Sequence, residues 1–258
     1  MSMGRNVDIN EVMRLVRETR RFVENRDMAG HIKVKGLADY VTQVDTNIQN
    51  FLQEKLYERY PEVEFLGEED GLHAMKGDTF WILDPIDGTT NLVHDYQHST
   101  VSLGLYSRGE ILMGIIYDPF REEIFYAEKG KGSFVNGRPI HVAEAGSLSE
   151  TIIAIGTAPY QKELAPRNFA AFQRVFEKCE DIRRTGSAAM DLAYTAAGRI
   201  GGYFEARLQP WDFAAGMLIL TEAGGRITRY DGAEVNPVEP GGIVATNGKL
   251  HEELRQLL

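Results

Sequence analysis

Apolar positions between residues 8 and 25 recur at helical spacing. Ile9, Val12, Met13, Val16 and Val23 share one face with Arg and Glu between them, which predicts an amphipathic helix entered from Asp8. HIKVKGLADY follows with a turn at Gly36. Asp39 or Thr42 then opens a second helix whose apolar face is Val44, Ile48, Phe51, Leu52 and Leu56, ended by Pro61. Asp45 lies beside that stripe and, taken alone, reads as a surface acid. EVEFLGEED is a short strand closed by Gly67, and Glu68, Glu69 and Asp70 after it read as a solvated loop, although a second adjacent strand ending in carboxylates would bring Glu68 to Asp84. Residues 79 to 83 carry β-branched, aromatic and aliphatic side chains without polar alternation, the pattern of a strand buried on both faces.

β-Rich segments follow at about ten-residue spacing: STVSLGLYS, EILMGIIYDP, EEIFYAEKG and KGSFVNGRPIHV, separated by turn signals. They predict an antiparallel meander. Beyond the small, polar AEAGSLSE near residue 145 the pattern changes to strands alternating with helices, which implies an α/β layer. TIIAIGTAP, DIRRT, GYFEA and GGIVATN read as strands. The helices are KELAPRNFAAFQRVFEKC with Pro166 early in it, AAMDLAYTAAGR opened by Gly186 and Ser187 and stopped at Gly201 and Gly202, PWDFAAGMLILTEAGG, and a terminal HEELRQLL.

Composition narrows the class. In 258 residues, 43% hydrophobic content suits a globular chain, and no apolar run reaches the roughly 20 residues of a membrane span. Cytoplasmic residence is the expectation, and one cysteine, Cys179, read as a packing residue, excludes an internal disulfide framework. A net charge of −10 argues against an extended nucleic-acid surface. The six histidines show no zinc-ligand spacing, so the chain offers oxygen ligands instead.

The candidate chemistry lies where the buried strand ends. Asp84 and Asp87 stand at its C-terminal edge, and a buried unpaired carboxylate costs several kcal/mol, so a divalent metal is the most economical partner. Pro85 between them makes a ladder or helix unlikely there. Gly88 permits a sharp turn, Thr89 or Thr90 can cap a following helix, and free N–H groups at that helix start would suit a phosphate. Asp212, in the first turn of the 211–223 helix, is explained by the macrodipole, with a metal-facing carboxylate equally open.

Taken together, GEED at 67 to 70, DPIDGTTNLVH at 84 to 94, and PWDFAAG at 210 to 216 with TEAGG at 221 to 225 resemble the inositol monophosphatase family of magnesium-dependent, lithium-sensitive phosphatases. KGLADYVTQVD at 35 to 45 and RRTGSAAMDLAYTAAGR at 183 to 199 extend the likeness over nearly the whole chain. The resemblance implies an α+β fold, a layered α-β-α-β-α sandwich of the inositol monophosphatase and fructose-1,6-bisphosphatase type. Residues 1–145 would carry most metal ligands, and residues 146–258 would supply Asp212 and the sugar-binding side.

The same resemblance implies residue roles. Glu68, Asp84 and the Ile86 carbonyl would hold a first magnesium, Asp84, Asp87 and Asp212 a second, with Glu68 touching a weak third. Lithium would inhibit, and calcium or manganese could substitute. Gly88, Thr89 and Thr90 would hold phosphate, with Glu68 and Thr89 orienting the attacking water and Asp45 supporting the threonine. Glu205, Asp212, Ser187 and Ala188 would line the sugar pocket. Lys35 matches a basic residue near the site, and Arg183 and Arg184 either meet a second phosphate or pair with surface acids.

The implied substrate is a small sugar or polyol phosphate, first myo-inositol 1-phosphate; fructose 1,6-bisphosphate, histidinol phosphate, NADP and 3′-phosphoadenosine 5′-phosphate share the metal ligands. A homodimer is implied as well. A different class, a protein-binding regulator in transcription or ribosome assembly, is implied by some relatives.

Overall fold

The computed structural model describes residues 7–25, 32–36, 39–70 and 77–258, and of residues 32–36, 39, 40 and 70 the backbone alone. Two helices replace the one expected at the start. α1 (Ile9–Glu18) is capped by Asp8, whose carboxylate accepts from the Asn10 N–H at 2.9 Å. Thr19 then turns its hydroxyl back onto the Val16 carbonyl at 2.6 Å, and the chain restarts as α2 (Arg20–Val23). β1 (Ile32–Gly36) and β2 (Asp39–Thr42) form an antiparallel hairpin that the hydrophobic pattern did not announce. Asp39 therefore lies in a strand. Thr42 is the cap of α3 (Gln43–Arg59), its hydroxyl accepting from the Val44 N–H at 3.1 Å.

β3 (Glu64–Gly67), β4 (Thr79–Asp87), β5 (Thr100–Ser107), β6 (Glu110–Asp118), β7 (Glu123–Glu128), β8 (Ser133–Val135) and β9 (Arg138–Ile140) make a seven-stranded sheet in chain order. β3 and β4 run parallel; every later pair is antiparallel, as the meander required. The short α4 (Thr89–Val93) follows β4 directly. The second sheet takes β10 (Ile152–Ile155), β11 (Asp181–Arg183), β12 (Gly202–Leu208), β13 (Arg226–Thr228) and β14 (Gly241–Thr246) in the order β11-β10-β12-β14-β13. β13 is too short to leave a pattern and was not expected. Between these strands run α5 (Ala165–Phe176), α6 (Ala188–Ala196) and α7 (Pro210–Glu222), with α8 (His251–Arg255) last. α6 stops earlier than anticipated: Gly198, at φ 69, ends it, and Gly202 already belongs to β12.

Alternation along the strands sorts the apolar side chains into three cores. Trp81, Leu83, Leu103 and Ile115 pack on α1, α2 and α3. Phe80, Ile82, Ile116 and Phe125 face the opposite way, onto α6 and α7, which also cover Ala154, Tyr203 and Ala245 of the second sheet. The far side of that sheet, with Ile153, Phe204 and Val244, packs on α5 and the α8 segment. The result is an α+β sandwich of five layers, α-β-α-β-α, as the resemblance implied. Each sheet is covered on both faces, so its central strands are buried almost throughout.

α7 lies close on the first sheet because two paired residues there, Gly104 and Gly114, have no side chains. A Cβ on Gly114 would stand 2.5 Å from the Ala215 carbonyl oxygen, whereas one on Gly104 would meet its first neighbour, the Ala215 nitrogen, at 3.6 Å. Gly114→Ala should therefore lower the unfolding free energy by about 1–3 kcal/mol, and Gly104→Ala by much less. Urea titration of both variants checks this; equal losses would count against close helix-to-sheet approach as the reason for Gly114.

Candidate active site

β4 does not stop at Leu83. It continues through Pro85 to Asp87, all of it from Phe80 onward buried, so the expectation that Pro85 ends the ladder is corrected. The ladder survives because it is bulged there: Asp84 pairs with Ser102 and Asp87 with Thr100, three steps on β4 against two on β5. A bulge is where a missing proline N–H is tolerated. It also changes parity. Strict alternation would send Asp84 and Asp87 to opposite faces; the extra residue puts both on the face that meets α7.

Asp212, in the first turn of α7, completes the group. One carboxylate oxygen from each of Asp84, Asp87 and Asp212 lies within 4.8 Å of the others. Each of the three also gives an oxygen to a backbone N–H: Asp84 to Ile86 at 3.0 Å, Asp87 to Ala189 at 2.6 Å, Asp212 to Gln209 at 2.7 Å. Asp87 further accepts from the Ser187 hydroxyl at 2.6 Å, so Ser187 and Ala188 reach the site by holding Asp87 at the start of α6. Glu68 arrives through the parallel pairing of β3 with β4, which sets Gly67 opposite Leu83. It opens a single 3₁₀ turn, held by Gln49 of α3, whose side-chain oxygen accepts from the Glu69 N–H at 3.2 Å. Gln49 was missed, although a buried amide on an otherwise apolar helix face is a signal.

Burial and mutual repulsion set the electrostatics. Burial, then the charges of Glu68, Asp87 and Asp212, hold the Asp84 carboxyl well above the ordinary range. Burial lifts Asp87 to about 6 against the hydrogen bonds from Ser187 and the α6 amides. Asp212 is likewise raised, by burial and by Asp87. Anionic oxygens that repel one another at this range form a donor set suited to a hard divalent cation, and the residues present fit one.

Asp45 is not on the surface. It is 1% exposed, in the first turn of α3, where one oxygen accepts from the Thr42 N–H at 2.8 Å and from its hydroxyl. Its other oxygen accepts from the Thr89 hydroxyl at 3.0 Å, and the Ile86 carbonyl lies 2.9 Å from that same hydroxyl. Thr89 is therefore inside α4 with its hydroxyl aimed at Asp45, and neither Thr89 nor Thr90 is the cap. Gly88 holds that position at φ 94; a Cβ there would stand 3.0 Å from the Gly186 carbonyl oxygen. Gly88, Thr89 and Thr90 line the same cavity as the carboxylates.

That cavity has a volume of about 570 Å³ and extends from the acids to Ser187, Ala188, Arg184 and Glu205. Glu205 is buried with both oxygens held: one accepts from the Ala158 N–H at 2.7 Å, the other from the Tyr203 hydroxyl at 2.6 Å. Ala158 adopts φ 46 to present that N–H, and Gly156 leaves the space, since a Cβ would fall 2.0 Å from Glu205 Oε2. Tyr203 was missed; its place two residues before Glu205 on one strand face was the available clue. Asp191 was missed too. It is buried, accepts from the Thr185 hydroxyl at 2.7 Å, and has its other oxygen without a hydrogen-bond partner among the described residues. Arg184 donates to the Thr157 hydroxyl at 3.1 Å, while Arg183 pairs with Asp181 outside the cavity, the surface pairing that was one of its two readings. The Lys35 and Asp70 side chains lie outside the described residues.

The inositol monophosphatase family matches the chain over residues 6–258. An inositol-1-monophosphatase of Synechocystis sp. is 39% identical over 229 residues, 88% of this chain and 79% of that protein. The Nus factor SuhB of Escherichia coli is 40% identical over 217 residues, 84% of this chain and 81% of that protein. Among solved structures, the extragenic suppressor protein suhB of Bartonella henselae superposes with a TM-score of 0.89 at 34% identity, covering 96% of this chain and 97% of the other.

A cation that neutralises the carboxylates should stabilise the fold by mass action. Raised carboxyl values mean that cation-free protein binds protons more tightly folded than unfolded. Its stability therefore falls as pH rises from the ordinary carboxylate range through about 6, where Asp87 titrates. A divalent cation at 100 times its dissociation constant adds about 2.7 kcal/mol, a rise in Tm of about 5–10 °C. The rise should be larger at pH 7 than at pH 5, because protons compete, and should largely vanish in Asp87→Asn. Thermal scans with and without magnesium at both pH values test it; equal shifts would sink the assignment.

Proposed function

Because the chain belongs to the inositol monophosphatase family, and so is a phosphatase of that type, we propose that it is a magnesium-dependent hydrolase of a polyol or sugar phosphate monoester, with myo-inositol 1-phosphate the first substrate to test. The observation that carries this reading is the convergence of Asp84, Asp87 and Asp212 at one end of a cavity that carries a pre-oriented carboxylate, Glu205, in its wall. A row of sugar hydroxyls offers donors to such a carboxylate.

In this reading Glu68, Asp84 and the Ile86 carbonyl hold one magnesium and Asp84, Asp87 and Asp212 a second. Bound there, magnesium supplies positive charge against the phosphoryl oxygens and lowers the pKa of water. The chain's own residues do the rest. The N–H groups of Gly88, Thr89 and Thr90 and the Thr90 hydroxyl take the phosphate oxygens. Asp45 and the Ile86 carbonyl fix the direction of the Thr89 hydroxyl, which with Glu68 aligns the attacking water. Water attacks phosphorus in line and gives up one proton to solvent, the ester P–O bond opposite breaks with its electron pair going to the ester oxygen, and the alcohol leaves with a proton from solvent; no covalent phosphoenzyme forms. Glu205 and Asp212, with Ser187 and Ala188 beside them, hold the hydroxyls of the leaving polyol, and Arg184 balances the charge of Glu205. Homodimerisation and a cytoplasmic location are proposed from the family alone.

A second reading is favoured by the relative named a Nus factor: a role exercised by binding other proteins. It is compatible with the first, since the acids of the site are intact.

Asp87→Asn should cut magnesium-dependent phosphate release by more than about 100-fold, and Asp45→Asn by about 10–100-fold. Both should retain native circular dichroism, and undiminished turnover in Asp87→Asn would remove the two-metal assignment. Glu205→Gln should lower kcat/KM for inositol 1-phosphate far more than for an aryl phosphate lacking hydroxyls. A panel of inositol 1-phosphate, histidinol phosphate, NADP and 3′-phosphoadenosine 5′-phosphate, with and without lithium, identifies the ester; no release from any of them would favour the binding role.

A further inference from the structure

The face of β5 under the acids carries two hydroxyls. In the bulged ladder Thr100 stands opposite Asp87 and Ser102 opposite Asp84, two residues apart and so on one face of the strand. Val101 between them packs in the core under α1, α2 and α3, which leaves Thr100 and Ser102 facing α6 and α7. Each hydroxyl reaches the start of a helix. Ser102 donates to the Trp211 carbonyl in the first turn of α7 at 3.1 Å, and the Thr100 hydroxyl lies 3.3 Å from that of Ser187, the cap of α6. Both residues are buried, and neither lines the cavity.

The donor count at Ser187 gives the contact with Thr100 a direction. A hydroxyl has one proton to donate and two lone pairs with which to accept. Asp87, when it holds a cation, is a carboxylate and can only accept, so the Ser187 proton goes to it at 2.6 Å. The Met190 N–H, at 3.3 Å, takes one lone pair of Ser187. The Thr100 hydroxyl therefore donates to the other. That is its only hydrogen bond among the described residues, and at 0% exposure it has no water to turn to. With one proton given and two received, every bonding position of the Ser187 hydroxyl is filled and its rotor is fixed on Asp87. The Ala189 N–H meets the same Asp87 oxygen at 2.6 Å, so Oδ2 is held from two sides.

We infer that Thr100 is a positioning residue of the cation centre: by donating to Ser187 it fixes the hydroxyl that holds Asp87, and so sets how tightly the site binds its divalent ion. The inference rests on the cation assignment within the phosphatase reading and adds to it a residue that touches neither cation nor substrate. In Thr100→Val a methyl group replaces the hydroxyl in nearly the same volume. Ser187 then loses one of its two donors, its rotor is freed, and the Asp87 carboxylate is held less firmly.

The magnesium dependence of Tm, measured on the full chain without substrate, gives the dissociation constant that tests it. Groups that orient a metal ligand directly account for about 10–100-fold in affinity; Thr100 stands one bond further out, so Thr100→Val should weaken magnesium binding about three- to tenfold. Thr100→Ser, which keeps the hydroxyl, should bind magnesium as the native protein does. In a Ser187→Ala background Thr100→Val should weaken binding no further, since its route to Asp87 is gone. A role in packing alone would lower the Tm of the cation-free variant and leave the dissociation constant where it was. Thr100→Ala, which removes the hydroxyl without adding a methyl in its place, is measured alongside, so that a folding defect of the valine variant does not decide the outcome. An unchanged dissociation constant in the folded variants, or an equal loss with and without the Ser187 hydroxyl, overturns the role of Thr100 and leaves the phosphatase reading standing. Native protein whose Tm does not respond to magnesium overturns the cation assignment, and this inference with it. Native protein that binds magnesium yet releases phosphate from no ester overturns the phosphatase reading alone.

Discussion

Like charges have to be brought together in this molecule. Two unit charges about 4 Å apart repel by roughly 4 kcal/mol at the effective dielectric of a partly buried protein site, and Asp84, Asp87 and Asp212 approach within 4.8 Å with Glu68 beside Asp84. The local hydrogen bonds to Asp84, Asp87 and Asp212 offset only part of that, since all three carboxyls stay raised. The opposing work comes from burial elsewhere. The core under α1, α2 and α3 fixes one face of β4, the core under α6 and α7 fixes the other, and the acids stand where the second core reaches the sheet edge. Asp212 is delivered by a helix pressed against Gly114, Glu68 by a parallel strand pair, and Asp87 by a strand that also feeds α4.

Two bulges solve the same problem of parity. A strand presents every second residue to one face, so DPID and EARL cannot, as regular strands, turn Asp84 with Asp87, or Glu205 with Leu208, toward one cavity. One extra residue in each ladder does so, at positions where β5 and β14 each spend two residues against three. Both flank the same cavity from different sheets. Site composition here follows from strand register as much as from residue identity.

This explains which parts of the molecule could be read from the chain. β4, the meander, α7 and its aspartate were legible because each is a local pattern long enough to repeat. The meeting of Glu68 with Asp84 was legible from two neighbouring strands ending alike. Asp45 was misjudged because its partners are Thr42, three residues away, and Thr89, 44 residues on; helical periodicity carries no sign of the second. Thr89 and Thr90 looked like caps because the sequence DGTT allows it, and only the left-handed backbone of Gly88, packed under Gly186, moved the helix start one residue earlier. The hold on Glu205 by Ala158 and Tyr203 was out of reach for a related reason. It needs a positive φ at an alanine, which no propensity suggests and which the contact with Glu205 maintains.

The tether that each carboxylate makes to a main-chain amide bears on which ion can occupy the centre. A side chain anchored through one oxygen cannot swing to widen a coordination shell without giving up a buried hydrogen bond. Calcium tolerates seven or eight ligands at variable length, and magnesium wants six at short, near-ideal distances with several waters retained. With Asp84 tied to Ile86, Asp87 to Ala189 and Asp212 to Gln209, the aperture of the site is a property of the main chain. A hard cation held there would meet an aperture set by the stiffness of two strand ends and two helix starts, so that discrimination between small and large ions would be a mechanical property of the sandwich.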